Sequence, residues 1–202
     1  MSAKKSGPLP RYTVPSLTVE QGAQVAEILQ ERLNSLNDLQ LTLKHIHWNV
    51  VGPNFIAVHE MLDPQVDSVR LMVDAIAERI ATLGVAPVGT PGALVAARTW
   101  EDYHLGRATV IEHLGALDEV YEGVIESHRK AAKDTEQLDI VTNDLLIGHL
   151  HDLEMFHWFV RAHLESSAGV LSTEGATTEL EAARKASQGD RTTKATKATK
   201  AR

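Results

Sequence analysis

Apolar residues recur in steps of three and four along most of the chain, the mark of helices that bury one stripe. Val25, Ile28, Leu29, Leu33, Leu36 and Leu43 trace the first stripe towards Trp48. Ahead of it, Thr18-Val-Glu-Gln21 reads as a capping box. Gly52-Pro53 ends that helix, because proline disfavours helix at the residue before it. Asn54 can then cap a second helix, with Phe55, Val58, Leu62, Val66, Val69, Val73, Ile76 and Ile80 as its stripe and an end near Leu83. So short a connection makes the two helices antiparallel neighbours. Gly84 to Gly92 is a Gly- and Pro-rich loop, and Thr90-Pro91 predicts a short helix over 91–98. Thr99-Trp-Glu-Asp102 predicts the start of a third long helix to about Lys133, whose last turns carry Arg129, Lys130 and Lys133, favourable for the helix dipole. After a turn at Asp134 to Gln137, a fourth helix is expected over 138–167, burying Leu146, Leu150, Leu153, Val160 and Leu164. The prediction is an all-α fold: a four-helix bundle with a short extra helix in the long crossover between helices two and three.

The two ends lack this pattern. Residues 1–17 hold three prolines and a glycine without a helical period, and read as a mobile arm or a strap along the surface. Beyond Gly169 the chain turns to Ser, Thr, Ala, Gly and charge, with the repeat Thr193-Lys-Ala-Thr-Lys-Ala-Thr-Lys-Ala, a composition that predicts a flexible tail. The organisation expected is therefore an arm over 1–17, a bundle over 18–168 and a basic tail over 169–202. Composition agrees with helices: 43% of the 202 residues are hydrophobic and only 4% aromatic. There is no cysteine, which excludes disulfides, thiol chemistry and thiolate metal sites. Two lysines near the start precede no apolar run, so neither a secretory signal nor a membrane span is expected and the cytoplasm is the default compartment. The net charge of −7 hides an asymmetry: residues 184–202 sum to +6 and the rest to −13.

Chemistry concentrates between residues 47 and 78. His59 and Asp63 are spaced i,i+4, as are Asp74 and Glu78, so each pair shares a helix face along one edge of the apolar stripe. His47, near the end of the first helix, can face His59 across the turn. Half-buried carboxylates there are costly unless compensated, and a metal ion would do so; ordinary helix-edge charges are the competing reading. His59 and Asp74 stand about 22 Å apart along one helix, whereas metal–ligand bonds are about 2 Å long. The two pairs cannot meet within a chain, but they could meet across a two-fold axis between antiparallel copies.

This stretch resembles the Dps family (DNA-binding protein from starved cells) of ferritin-like mini-ferritins. The matching features are His47-Trp48, the Gly52 to Phe55 turn, His59-x-x-x-Asp63, Asp74-x-x-x-Glu78, and Ala77-Glu78-Arg79 leading to Leu83-Gly84, and the likeness extends over about residues 18–168. The resemblance implies a hollow dodecamer whose ferroxidase sites, made of His47, His59, Asp63, Asp74 and Glu78, lie at the two-folds. It implies iron (Fe2+/Fe3+) as the metal, peroxide as the preferred oxidant and a ferric mineral inside. Trp48 taken alone reads as packing against the helices; the resemblance places it near the iron, where it offers a short path for electrons. The resemblance also places acidic residues, here Asp139 and Asp144, along a three-fold pore that admits iron, with Gly148 where some members have a third acidic level; the competing reading is two acids at a helix N-terminus that favour its dipole. Arg79 beside Glu78 reads either as a surface cation or as an ion pair orienting the site. Non-specific DNA binding is expected of the ends, through Lys4, Lys5 and Arg11 and through Arg184, Lys185, Arg191, Lys194, Lys197, Lys200 and Arg202, because the acidic body should repel phosphate.

Two other readings stay open: a nucleoid-packing protein with a minor iron role, and an iron-storage shell that does not bind DNA. An iron site inside one bundle would need paired Glu-x-x-His motifs. Glu101-x-x-His104 and Glu154-x-x-His157 are present, but their levels in the predicted hairpin differ by about 22 Å. No spacing singles out His45, His113, His128, His149, His151 or His163.

Overall fold

The computed structural model describes residues 10–200, with side chains as far as Gly189. Helix α1 spans Val19–Asn49, α2 Phe55–Thr82, the short α3 Pro91–Ala97, α4 Val110–Thr135, α5 Ile140–Leu164 and α6 Glu179–Lys200. The hairpin α1/α2 and the hairpin α4/α5 lie together as a four-helix bundle, with α1 also against α4. Two short strands, β1 (Val50–Val51) and β2 (Ala108–Thr109), pair in parallel with Val50 opposite Ala108. This ladder ties the end of α1 to the start of α4. The predicted stripes meet in one core: Leu29, Leu36, Leu43, Val58, Leu62, Val69, Ile76, Ile80, Leu146, Leu153 and Val160 are all fully buried. Tyr121 lies among them and donates its hydroxyl to Gln65 Oε1 at 2.7 Å.

The starts of α1 and α3 follow the sequence. Thr18 and Gln21 form the capping box of α1, and Thr90-Pro91 opens α3. The third long helix does not begin at Thr99. Residues 98–107 run without helix, and α4 starts only at Val110 behind a capping box of Thr109 and Glu112. The reason is tertiary. Trp100 Nε1 donates to Asp38 at 2.7 Å, Arg98 pairs with both Asp38 and Asp102, and His45 Nε2 donates to the Leu105 carbonyl at 2.8 Å. These contacts draw the crossover along α1 and outweigh a local capping signal.

The N-terminal arm is a strap from Pro10 onward. A Cβ at Gly84, whose φ is +88°, would stand 2.2 Å from the Tyr12 carbonyl oxygen, and one at Gly22 would stand 2.4 Å from Thr13 Oγ1. At the other end the structure departs from the flexible tail that composition predicts. Thr173 donates to Asp118 of α4 at 2.7 Å, and α6 then lies on α4 through Ala182, Ala183 and Ala186, all buried. Gly115 makes this approach close, since a Cβ there would meet the Ala182 carbonyl oxygen at 2.7 Å. Small residues thus pack a helix that carries no stripe of large ones.

Candidate metal centre

The reversal from α1 into α2 builds half of the site. Gly52 (φ +96°) and Asn54 (φ 63°) take left-handed conformations, so the chain turns within a few residues. Asn54 holds the N-cap position of α2 by backbone alone; its side chain makes no capping bond. The turn brings His47, in the last turn of α1, onto His59, with ring centres 3.6 Å apart and planes inclined by 24°. Phe55 flanks His59 at 4.9 Å. Each imidazole bonds the other's backbone: His47 Nδ1 donates to the His59 carbonyl and His59 Nδ1 to the His47 carbonyl, both at 2.9 Å. A carbonyl only accepts, so each Nδ1 carries a proton, and Nε2 is the nitrogen left to act as a metal donor when the ring is neutral. Fixing the tautomer through the far nitrogen is how metal-binding histidines are oriented.

Asp63, one turn after His59, joins them, with Oδ1 3.3 Å from His47 Nδ1. The same oxygen accepts a hydrogen bond from Lys44 Nζ at 2.6 Å. That bond, with the nearby His47 and His59 rings, holds the Asp63 carboxyl below the usual carboxylate range despite some desolvation. Lys44 was not singled out by sequence reasoning; its signal is its place one turn before His47 on α1.

Asp74 and Glu78 lie apart from this cluster. α2 is continuous from Phe55 to Thr82, despite Pro64 within it, so the two pairs stay about 22 Å apart by helical rise. In the single chain both acids are exposed, not half-buried, and among the described residues neither carboxylate has a hydrogen-bond or ion-pair partner. Leu71, on the same helix, is 71% exposed. No group of three or more His, Asp or Glu among the described residues could hold a metal ion within one chain. Trp48 does not pack against the helices of its own chain: it follows His47 at the end of α1 and is 72% exposed.

Other expected roles fall differently. Arg79 does not pair with Glu78: its Nη2 meets Asp139 Oδ2 at 2.5 Å and its Nε donates to Thr142 Oγ1 at 3.1 Å, tying α2 to α5. Asp139 is 7% exposed and caps α5 by accepting from the backbone N–H groups of Val141 and Thr142. Burial opposes its ionisation, but the bonds from Thr142 and Arg79 prevail and keep its carboxyl below the usual range. Asp144 is exposed. Arg11 and Arg184 are exposed, while Lys185 is engaged by Glu181 and the Glu174 carbonyl. Arg191, Lys194, Lys197 and Lys200 fall on the backbone of α6, and their side chains lie outside the described residues, as do Lys4, Lys5 and Arg202. Glu101 and His104 are not on a helix, which removes the paired Glu-x-x-His reading.

The ferritin-like domain family matches residues 26–168. The chain is 59% identical over 175 residues to the DNA protection during starvation protein of Mycolicibacterium smegmatis, covering 87% of this chain and 96% of that relative. This chain belongs to the Dps branch of the ferritin-like family. Solved structures agree: a Mycobacterium smegmatis Dps matches with a TM-score of 0.81 at 59% identity, over 83% of this chain and 95% of that one. DpsA14 from Streptomyces coelicolor matches at 0.80 and 60% identity, over 84% of this chain and 98% of that one. The helical bundle and its crossover are those of a Dps protein. Among the described residues, no helix is long and apolar enough to cross a membrane.

Proposed function

We propose that this Dps protein oxidises ferrous iron at sites shared across two-fold dimers, stores the ferric product within a hollow homo-oligomer, and binds and protects DNA without regard to sequence. The observation that carries this reading is the reciprocal His47–His59 arrangement, which commits both Nδ1 atoms to backbone carbonyls and stacks the two rings with the Asp63 carboxylate beside His47. Two imidazoles with carboxylates suit ferrous iron, and carboxylates stabilise the ferric product. The missing acids stand on the same helix: Asp74 and Glu78 are exposed and Leu71 beside them is an uncovered apolar side chain. A second α2 laid antiparallel would cover Leu71 and set Asp74 and Glu78 of the partner subunit opposite His59 and Asp63. Two ferrous ions, each giving one electron to one hydrogen peroxide, would break its O–O bond and, with two protons from solvent, leave two waters and no hydroxyl radical. Trp48 would offer electrons a short path at the same place.

A dodecamer, action in the cytoplasm on the nucleoid, and iron admission past Asp144 belong to the same reading. Asp139 contributes less to such a pore than the sequence suggests, being occupied by its cap and by Arg79. The names of the relatives, which speak of DNA protection, support the DNA role, and the basic positions on α6 supply the charge. The test is complementation. Subunits carrying His59→Ala/Asp63→Ala and subunits carrying Asp74→Ala/Glu78→Ala should each lose peroxide-driven iron oxidation. Verified heterodimers of the two should regain part of it, because one of their two sites is intact. Heterodimers as inactive as the parents would rule out a site built from both chains.

A further inference from the structure

Across the α4/α5 hairpin, away from the His47–His59 cluster, two histidines face each other in the bundle interior. His128 of α4 is fully buried and neither ring nitrogen makes a hydrogen bond; His149 of α5 is 8% exposed and its Nδ1 makes none. Their ring centres are 5.7 Å apart with planes inclined by 44°. A buried polar group left without a partner is destabilising, so three such nitrogens in one place need a reason. Hydrophobic filling would have been simpler at a position of this kind. Desolvation holds both rings well down, His128 to about 3 and His149 to about 4, so both are neutral lone-pair donors at physiological pH.

We infer that His128 and His149 bind one two-coordinate monovalent metal ion of the Cu(I) class, at a site separate from the iron centre. Two imidazoles on opposite sides of an ion, with bonds of about 2 Å, hold their ring centres about 6 Å apart, and the 5.7 Å seen needs the rings to give by only a few tenths of an ångström. Each ring would give one nitrogen, satisfying two of the three orphaned atoms. The charge of the ion follows from what surrounds it. Arg32 of α1, itself buried and donating to Ser127, faces His128, while Asp152, a turn beyond His149 on α5, faces His149. One cation and one anion offset each other and leave two neutral donors. A divalent ion there would keep most of its charge uncompensated in a poorly solvated place, and no third His, Asp or Glu among the described residues completes a tetrahedral set. A monovalent ion content with two nitrogens avoids both costs, and imidazole is a ligand copper accepts. The partial exposure of His149 gives the route in.

The assembled, metal-free protein should take up one Cu(I) per chain under anaerobic competition with a chromophoric Cu(I) chelator, and one Ag(I) per chain in equilibrium dialysis. His149→Ala should weaken both at least tenfold, whereas His151→Ala, on the exposed side of the same helix, should not. His149 lies at the edge of the interior, so its variant should assemble; a normal elution volume and circular dichroism spectrum check this, and His149→Gln supplies a second variant of similar bulk. X-ray absorption of the copper-loaded protein should show two nitrogen donors. Full retention of the bound equivalent in both His149 variants, equal loss in His151→Ala, a four-coordinate spectrum, or uptake of Zn2+ in preference to Ag(I) at these rings would each overturn the assignment.

Discussion

Asp118 is held from two segments at once. His157 Nε2 donates to its Oδ1 at 2.6 Å and Arg161 Nε at 2.9 Å, both from α5, and Thr173 donates to Oδ2 from the segment that leads into α6. Burial opposes the charge, yet the three bonds outweigh it and hold the carboxyl down to about 2. The unfolded carboxyl titrates near about 3.9, so the folded state binds its proton later. The stabilisation is therefore complete above about pH 5 and disappears as pH falls towards 2. Asp118→Asn should cost about 2–3 kcal/mol at pH 7, the free-energy equivalent of that downward shift, measured by denaturation of the assembled protein, and the gap from the parent should narrow at pH 3. A gap of the same size at both pH values would show that the ionised carboxylate is not what stabilises. At this scale the sequence spoke clearly about His47, His59 and Asp63, whose spacing survives in the fold. It was silent about Asp118 and Lys44, because a lone Asp or Lys on a helix carries no spacing signal until its partners from other elements arrive.

Among the elements, α6 depends on close approach more than on apolar area. Gly115 leaves room for the Ala182 carbonyl, and Ala186 lies alongside. Because the obstructing atom is backbone, Gly115→Ala must push α6 outward; overpacking of this kind costs about 1–3 kcal/mol. The bundle should remain folded while α6 loosens, seen as faster amide exchange over residues 179–189 and earlier proteolytic cutting in 166–178. Exchange rates equal to the parent's would mean that α6 owes its place to the Thr173–Asp118 bond instead. Sequence periodicity located α1, α2, α3 and α5 within a few residues, since each displays a stripe, a cap or a proline. It missed α6, where alanines replace the stripe. It also put the start of α4 too early, because Thr99 and Thr109 both open a capping-box pattern and only the pull of Asp38 on Arg98 and Trp100 decides between them.

For the whole molecule, an acidic body and a basic end set the expectation for DNA. A chain ending at Gly189 keeps the docked alanines of α6 but loses Arg191, Lys194, Lys197, Lys200 and Arg202. It should assemble normally and retard DNA far less, and the full chain's affinity should fall with salt by about 0.9 in log–log slope for each phosphate contact. Equal retardation by both forms in a gel shift at several salt concentrations would move the binding to the N-terminal arm or exclude α6 from it. Oligomeric assembly was legible only as an incompleteness: the Asp74/Glu78 pair lies too far along α2 to reach His59 and Asp63, and among the described residues neither carboxylate has a partner. The crossover has a kinetic meaning as well. His47 and His59 bond across a separation of 12 residues, whereas Asp38 meets Arg98 and His45 meets Leu105 across 60. Closing the longer loops loses more chain entropy, and contacts between distant residues form later than local ones. The α1/α2 hairpin, with its two imidazoles already aligned, can thus form as a nascent unit while the second hairpin is still seeking its place. The β1–β2 ladder then acts as the clasp that closes last, and lesions in residues 98–109 should slow maturation of the subunit without disturbing the stacked His47–His59 pair.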